Sequence, residues 1–242
     1  MSNDEAFGLP AELRQRYYEQ GHWRQEDLWT AFETVARQRA SAVAFVEGQQ
    51  EITFEALLRA AERFGAALRA SGIQPGEAVV VHGRHCLESV IAIMGCAQAS
   101  VVVALLPHMF SVEQIRVTID TASARALIAL GEPTEIARAH EAARASGIGL
   151  FVASDAAPPL PAPFARWTEY LGRAGTAPIP HEAVPADALA LLLFSSGTTG
   201  EPKGVMHSAN TVRFTVETYA RYQSITERDT SLVVTAFGFV GS

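Results

Sequence analysis

Four short apolar runs, at residues 78–81, 101–106, 126–130 and 148–153, constrain this chain more than any single motif does. Each follows a stretch with helical apolar spacing, at 54–68, 87–99, 111–121 and 133–145. The order helix, strand, repeated four times from Phe54 to Ala153, is the signature of a parallel sheet with helices on both faces. The fold class expected is therefore α/β.

Local signals support these elements. Phe54, Leu57, Leu58, Ala61, Phe64, Gly65 and Leu68 fall on one helical face, with Thr53 as a capping oxygen and Gly72 as a stop. Ser111 and Gln114 form a capping box. Upstream, Leu28, Phe32 and Val35 predict a helix after Asp27, and the runs 43–46 and 52–54 around Gly48 predict a hairpin. Residues 1–25 mix aromatic and charged residues without a period and read as an N-terminal arm.

The composition changes after residue 154. Four prolines occur within 155–163 and three more within 172–185, which reads as a crossover over 155–187 with one short helix at 164–171. The start of a second α/β lobe is expected over 188–242: strand 189–194, a polar loop, strand 204–207, helix 210–222 and strand 232–235. Residues 1–154 form the first lobe. A second lobe of about 55 residues is small for independent stability, so it reads as incomplete.

Bulk properties remove several function classes. The 242 residues carry a net charge of −7 with no run of Lys or Arg, which excludes a nucleic-acid face. Residues 89–112 hold no formal charge, long enough to span a bilayer, but Gln98, Ser100 and Pro107 interrupt them and no basic cluster flanks them. A buried helix followed by a buried strand fits better, so no membrane span is expected. Cys86 and Cys96 lie too far apart on one helical segment to bridge. The acidic, polar N-terminus lacks a secretory pattern, and a cytoplasmic location is expected.

The chemistry concentrates in Ser195-Ser196-Gly197-Thr198-Thr199-Gly200-Glu201-Pro202-Lys203-Gly204. Glycine permits close backbone approach and positive φ, so successive amides can form an anion nest. Four hydroxyls add donors, each charge-assisted bond contributing about 1.5–3 kcal/mol, and Lys203 brings a cation. The Gly-Lys-Ser/Thr order of a Walker loop is absent, and a strand rather than a helix follows. By composition alone the same loop could be a solvated connection.

In its order, Phe194 to Val205 resembles the phosphate-binding signature of the adenylate-forming (AMP-binding) superfamily, which includes acyl-CoA synthetases, peptide-synthetase adenylation domains and firefly luciferase. Ile52-Thr-Phe-Glu-Ala-Leu57 and Gln98 to Pro107 resemble two further motifs, with Ser100 and Ala104 replacing the usual Gly and Pro. The resemblance spans about 28–241. It implies ATP-dependent activation of a small carboxylic acid to an acyl-adenylate with release of pyrophosphate, then transfer to a thiol, with CoA the acceptor expected. Ser195, Ser196, Gly197, Thr198, Thr199, Gly200 and Lys203 are the implied ATP-binding residues, and Phe237 and Gly238 the implied edge of the acyl pocket.

The resemblance also implies groups that lie beyond residue 242: adenine contacts, a Mg²⁺-binding Glu, a ribose-binding Asp and the catalytic Lys. No catalytic or metal residue is therefore assigned here, and the chain alone is expected to be inactive. Many members place His or Asp after the aromatic residue at 237; Gly238 stands there instead, which disfavours an α-amino acid substrate. Ala209 stands where many members carry His. The competing reading is a non-catalytic nucleotide-binding or structural module.

Three other groupings carry less. His82, His85 and Cys86 offer too few ligands for a structural zinc site. His207 lies near the polar loop. Arg213, Glu217 and Arg221 share a helical face and predict a solvated ion-pair ladder. Oligomeric state is not legible.

Overall fold

The computed structural model describes residues 9–159, 161, 164–173, 179–195 and 202–234. The chain begins with helices α1 (Ala11–Glu19) and α2 (Leu28–Gln38), then an antiparallel hairpin of β1 (Val43–Glu47) and β2 (Gln50–Thr53). There follow α3 (Phe54–Ala70), β3 (Ala78–Gly83), α4 (Leu87–Gln98), β4 (Val102–Pro107), α5 (Val112–Ala122), β5 (Ala126–Leu130), α6 (Pro133–Ser146) and β6 (Leu150–Ala153). Next are β7 (Ala165–Arg166), α7 (Trp167–Arg173), β8 (Leu189–Ser195), β9 (Lys203–Ser208) and α8 (Ala209–Tyr222).

The main sheet has seven strands in the order β7-β6-β5-β3-β4-β8-β9. All neighbours pair in parallel except β8 and β9, which are antiparallel. The period-2 alternation of a strand splits the core in two. Val79, Val81, Val103 and Leu105 face a cluster with Phe64, Leu68, Cys96, Trp167 and Tyr170 from α3, α4 and α7. Val80, Ala104 and Leu106 face Ile115, Ile119, Ile136 and Ala139 from α5 and α6. Because both faces are covered, β3, β4 and β5 are buried at every position.

α3 and α4 touch almost backbone to backbone. A Cβ on Gly65 would collide with Gln98 Oε1 and lie 2.9 Å from the Gly95 carbonyl oxygen. One on Gly95 would lie 2.7 Å from Phe64 Cδ1 and 2.9 Å from the Ala61 carbonyl. The caps read from sequence are present: Thr53 accepts from Ala56 N at 3.2 Å, and the box of Ser111 and Gln114 closes in both directions.

The proline-rich crossover is strapped to α2 and α4. Gln98 Nε2 donates to the Ile179 carbonyl at 3.0 Å, and Ser100 Oγ to the Glu182 carbonyl at 2.6 Å. His181 spans the gap, with Nδ1 2.8 Å from the Gln98 carbonyl and Nε2 2.7 Å from Asp27 Oδ2. Both partners only accept, so both ring nitrogens donate and the imidazole is cationic. Burial alone would lower the His181 pKa, but Asp27 and the Gln98 carbonyl outweigh it and the pKa is raised. Burial alone would likewise raise Asp27, but His181 and the amide of Thr30 bring it down to about 2. Asp27 also caps α2 through Thr30 N at 2.8 Å.

Several expectations change. The N-terminal arm contains α1, which buries none of its side chains and so shows no apolar period. β7 precedes α7 and extends the sheet. Leu232–Val234 form no strand; Leu232 and Val234 are 86% and 80% exposed, with no neighbouring strand among the described residues, and Thr235 lies outside them. Cys86 is the N-cap residue of α4 rather than part of the helix, and both cysteines are free. The uncharged stretch 89–112 folds as α4, β4 and the start of α5, and no described helix is long and apolar enough to cross a membrane.

The ladder on α8 is also replaced. Arg213, with only 9% of its side chain exposed, pairs with Glu26 at 3.1 Å, and Glu217 pairs with Arg24 at 2.8 Å. These links tie α8 to the N-terminal arm instead of running along the helix.

Candidate nucleotide-binding site

β8 enters the sheet because 189–194 is wholly apolar and fits beside β4, with Leu105 opposite Leu193. Gly83 stands opposite Pro107 in β4 and opposite Leu130 in β5, so β3, β4, β5 and β8 share one carboxyl edge. From neighbouring carboxyl ends β3 leads into α4 on one face of the sheet and β4 into α5 on the other, so the connections diverge between them. Open α/β sheets bind ligands at the carboxyl edge near such a point.

The polar loop leaves the sheet at that edge. Its two ends are fixed by the antiparallel ladder, which sets Ser195 opposite Lys203 and Phe194 opposite Gly204. Phe194 is 2% exposed and anchors the stem in the α5–α6 core. A Cβ on Gly204 would come 3.3 Å from Phe194 Cε1, so glycine lets the returning strand lie against the ring. Pro202 is buried and Lys203 is exposed at the end of the ladder. A cation beside a hydroxyl-rich segment suits a polyphosphate. Ser196, Gly197, Thr198, Thr199, Gly200, Phe237 and Gly238 lie outside the described residues, as does the side chain of Ser195.

The same edge carries polar groups that the sequence reading did not assemble. Arg84 Nε donates to both carboxylate oxygens of Glu135, at 2.9 and 3.1 Å, and Glu135 accepts from Glu132 N at 2.9 Å. Burial alone would raise the Glu135 pKa, but Arg84 and the Glu132 amide outweigh it and the pKa is lowered. Arg138 Nη2 donates to the His108 carbonyl at 3.0 Å. His82 is 1% exposed, and burial, with Arg138 nearby, pushes its pKa down to about 4. It is therefore neutral near pH 7. The readable signals were Arg84 three residues after the apolar run 78–81 and the Glu-x-x-Glu spacing at the start of α6.

His207 stands four residues from Lys203 along β9, about 14 Å at 3.4 Å per residue, so it lies well away from the loop mouth. Its Nδ1 lies 3.5 Å from Thr211 Oγ1, and burial lowers its pKa. Among the described residues no group of three His, Cys, Asp or Glu side chains could hold a metal ion.

Comparison with known proteins identifies the family. The 2-hydroxy-7-methoxy-5-methyl-1-naphthoate–CoA ligase of Streptomyces carzinostaticus is 27% identical over 221 residues, covering 88% of this chain and 40% of that protein. The salicyl-AMP ligase/salicyl-S-ArCP synthetase of Mycobacterium tuberculosis is 28% identical over 242 residues, covering 95% and 41%. The apo structure of Mycobacterium smegmatis MbtA superposes with a TM-score of 0.81 at 28% identity, covering 90% of this chain and 40% of that one. The chain thus spans about 40% of the length of these relatives. The family model described as AMP-binding enzyme matches residues 32–242. With a mostly parallel seven-stranded sheet and that match over most of its length, the chain belongs to the AMP-binding enzyme family of adenylate-forming ligases.

Proposed function

We propose that this chain supplies the ATP grip of an enzyme that activates an aromatic carboxylic acid to its acyl-adenylate, releasing pyrophosphate, and then passes the acyl group to a thiol. Family membership implies ATP and a carboxylate. The aromatic class is inferred from relatives named for naphthoate, hydroxybenzoate and salicyl substrates. CoA is the acceptor we favour, because two of these three are CoA ligases by name.

The observation that carries the reading is the glycine- and hydroxyl-rich stretch 195–204 spanning a hairpin whose stem ends at the carboxyl edge of parallel strands. In this reading the amides and hydroxyls of 195–200 hold the phosphates and Lys203 neutralises them. Gly238 leaves no carboxylate for a substrate ammonium, which favours an acid without an α-amino group. Mg²⁺ would accompany the nucleotide. The division into a lobe at 1–154, a crossover at 155–187 and a lobe beginning at 188 is part of the same proposal.

Binding of ATP is measured by calorimetry on the 242-residue chain and its Lys203→Ala variant. Loss of one charge-assisted contact, about 1.5–3 kcal/mol, predicts roughly 10- to 100-fold weaker binding. Unchanged affinity would remove Lys203 from the site. Carboxylate-dependent ATP–pyrophosphate exchange with benzoate, salicylate and hydroxynaphthoate tests the reaction itself, and ATP binding without exchange in the whole protein would favour the non-catalytic reading.

A further inference from the structure

A cavity of about 370 Å³ lies between the N-terminal arm and α8, within the size range of small-molecule sites. Ser208, on its wall, is five residues from Lys203 along β9, about 17 Å away, so the cavity is separate from the phosphate loop. Its aromatic walls are Tyr17, His22, Trp23 and Phe214. Tyr17 and Trp23 have ring centroids 5.3 Å apart, and His22 meets Phe214 edge to face at 5.7 Å. Arg14 and Asp187 also line it, as a pair 3.4 Å apart with side chains 24% and 22% exposed.

The walls are held in place before any ligand arrives. Asn210 of α8 donates to Tyr18 Oη at 3.1 Å and accepts from Arg24 N at 2.8 Å. Together with the ion pairs of Arg24 with Glu217 and Arg213 with Glu26, these links fix the arm against the helix. A rigid site avoids part of the ordering cost of binding.

We propose that this cavity binds a zwitterionic aromatic compound of the amino-acid class. The aromatic walls accept a ring in edge-to-face or offset contact. Arg14 offers a planar fork for a carboxylate, and Asp187 an acceptor for an ammonium. A ligand carrying both charges can meet Arg14 and Asp187 at the same time. A simple carboxylate would compete with Asp187 for Arg14, and a simple amine would compete with Arg14 for Asp187. Such a ligand is distinct from the acid activated at the loop.

Calorimetric titration of the protein with L-phenylalanine, benzoate and 2-phenylethylamine tests this. Phenylalanine is expected to bind at least about tenfold more tightly than either single-charge analogue, a difference of about 1.4 kcal/mol. Trp23 fluorescence should respond, whereas Trp29 and Trp167 are buried elsewhere. Arg14→Gln and Asp187→Asn should each weaken binding about tenfold. Thr215→Phe, which narrows the cavity and leaves both charges in place, should weaken binding at least about tenfold without lowering the unfolding midpoint. Absence of binding by phenylalanine, equal binding by an analogue, or full binding by Thr215→Phe would overturn the proposal.

Discussion

Replacing Asp27 with Asn should destabilise the protein in a pH-dependent way. Asn keeps the side-chain volume and still caps α2, so the change isolates the charge facing His181. The Asp27 pKa falls from 3.8 to about 2, which at 1.36 kcal/mol per unit is a stabilisation of about 2.5 kcal/mol for a carboxylate only 5% exposed. His181 is the other end of the same interaction, so its raised pKa is not a second contribution. A depressed carboxylate stabilises the fold fully above its unfolded pKa near 3.8 and loses that effect as pH falls towards about 2. A raised imidazole stabilises fully below its unfolded pKa near 6.5 and loses that effect as pH climbs through its folded value.

The shared window runs from about pH 4 to about pH 6.5. Urea unfolding of the parent and Asp27→Asn should differ by about 2.5 kcal/mol inside that window, and by less at alkaline pH. The difference, not the parent curve, is the measurement. His82 complicates the parent curve, because a buried imidazole held near pKa 4 makes stability fall as pH drops below about 6.5. That contribution cancels between parent and variant. NMR titration of His181 should give a pKa above 6.5 that falls in the variant. A penalty of equal size at pH 5.5 and 9, or a parent His181 that titrates at or below 6.5, would refute the bridge.

Other residues give shorter tests. Ser100 has φ +57°, a left-handed conformation costing roughly 1–2 kcal/mol for an L-residue, and its hydroxyl bond to Glu182 returns about 0.5–1.5 kcal/mol. Ser100→Gly should therefore be nearly neutral in urea unfolding and Ser100→Ala clearly destabilising, and the reverse order would show the strain to be absent. Gly95→Ala should cost about 1–3 kcal/mol, read as a drop in Tm, because its Cβ meets Phe64 and the backbone of Ala61. Burial pushes the Cys86 thiol up to about 11 and the Cys96 thiol higher still, so both should react slowly with a disulfide reagent at pH 8 and rapidly once urea unfolds the chain.

The strands were legible in the runs 78–81, 101–106 and 126–130 because burial on both faces demands unbroken apolar runs, and the caps because their spacing is local. What escaped the sequence was mostly non-local. Strand order depends on which neighbour each crossover selects, and no residue in β8 announces that its partner is β4. The partners of Arg213 and Glu217 are nearly two hundred residues away, so a local i, i+4 reading supplied the wrong ones. Leu232, Val233 and Val234 have strand propensity, but propensity without a neighbouring strand forms no ladder. The loop stands apart: the order of its residues, rather than their composition, pointed to nucleotide chemistry.

The two edges of the seven-stranded sheet are unlike. β7 is two residues long and ends one side almost as soon as it begins, whereas β9 runs six residues along the other with Val205 and Met206 39% and 43% exposed. A six-residue exposed edge offers more backbone for further pairing than a two-residue one. The sheet therefore has a growing side and a finished side. Among the described residues, the backbone open to a further strand, whether a fold neighbour or an aggregating copy, lies along β9.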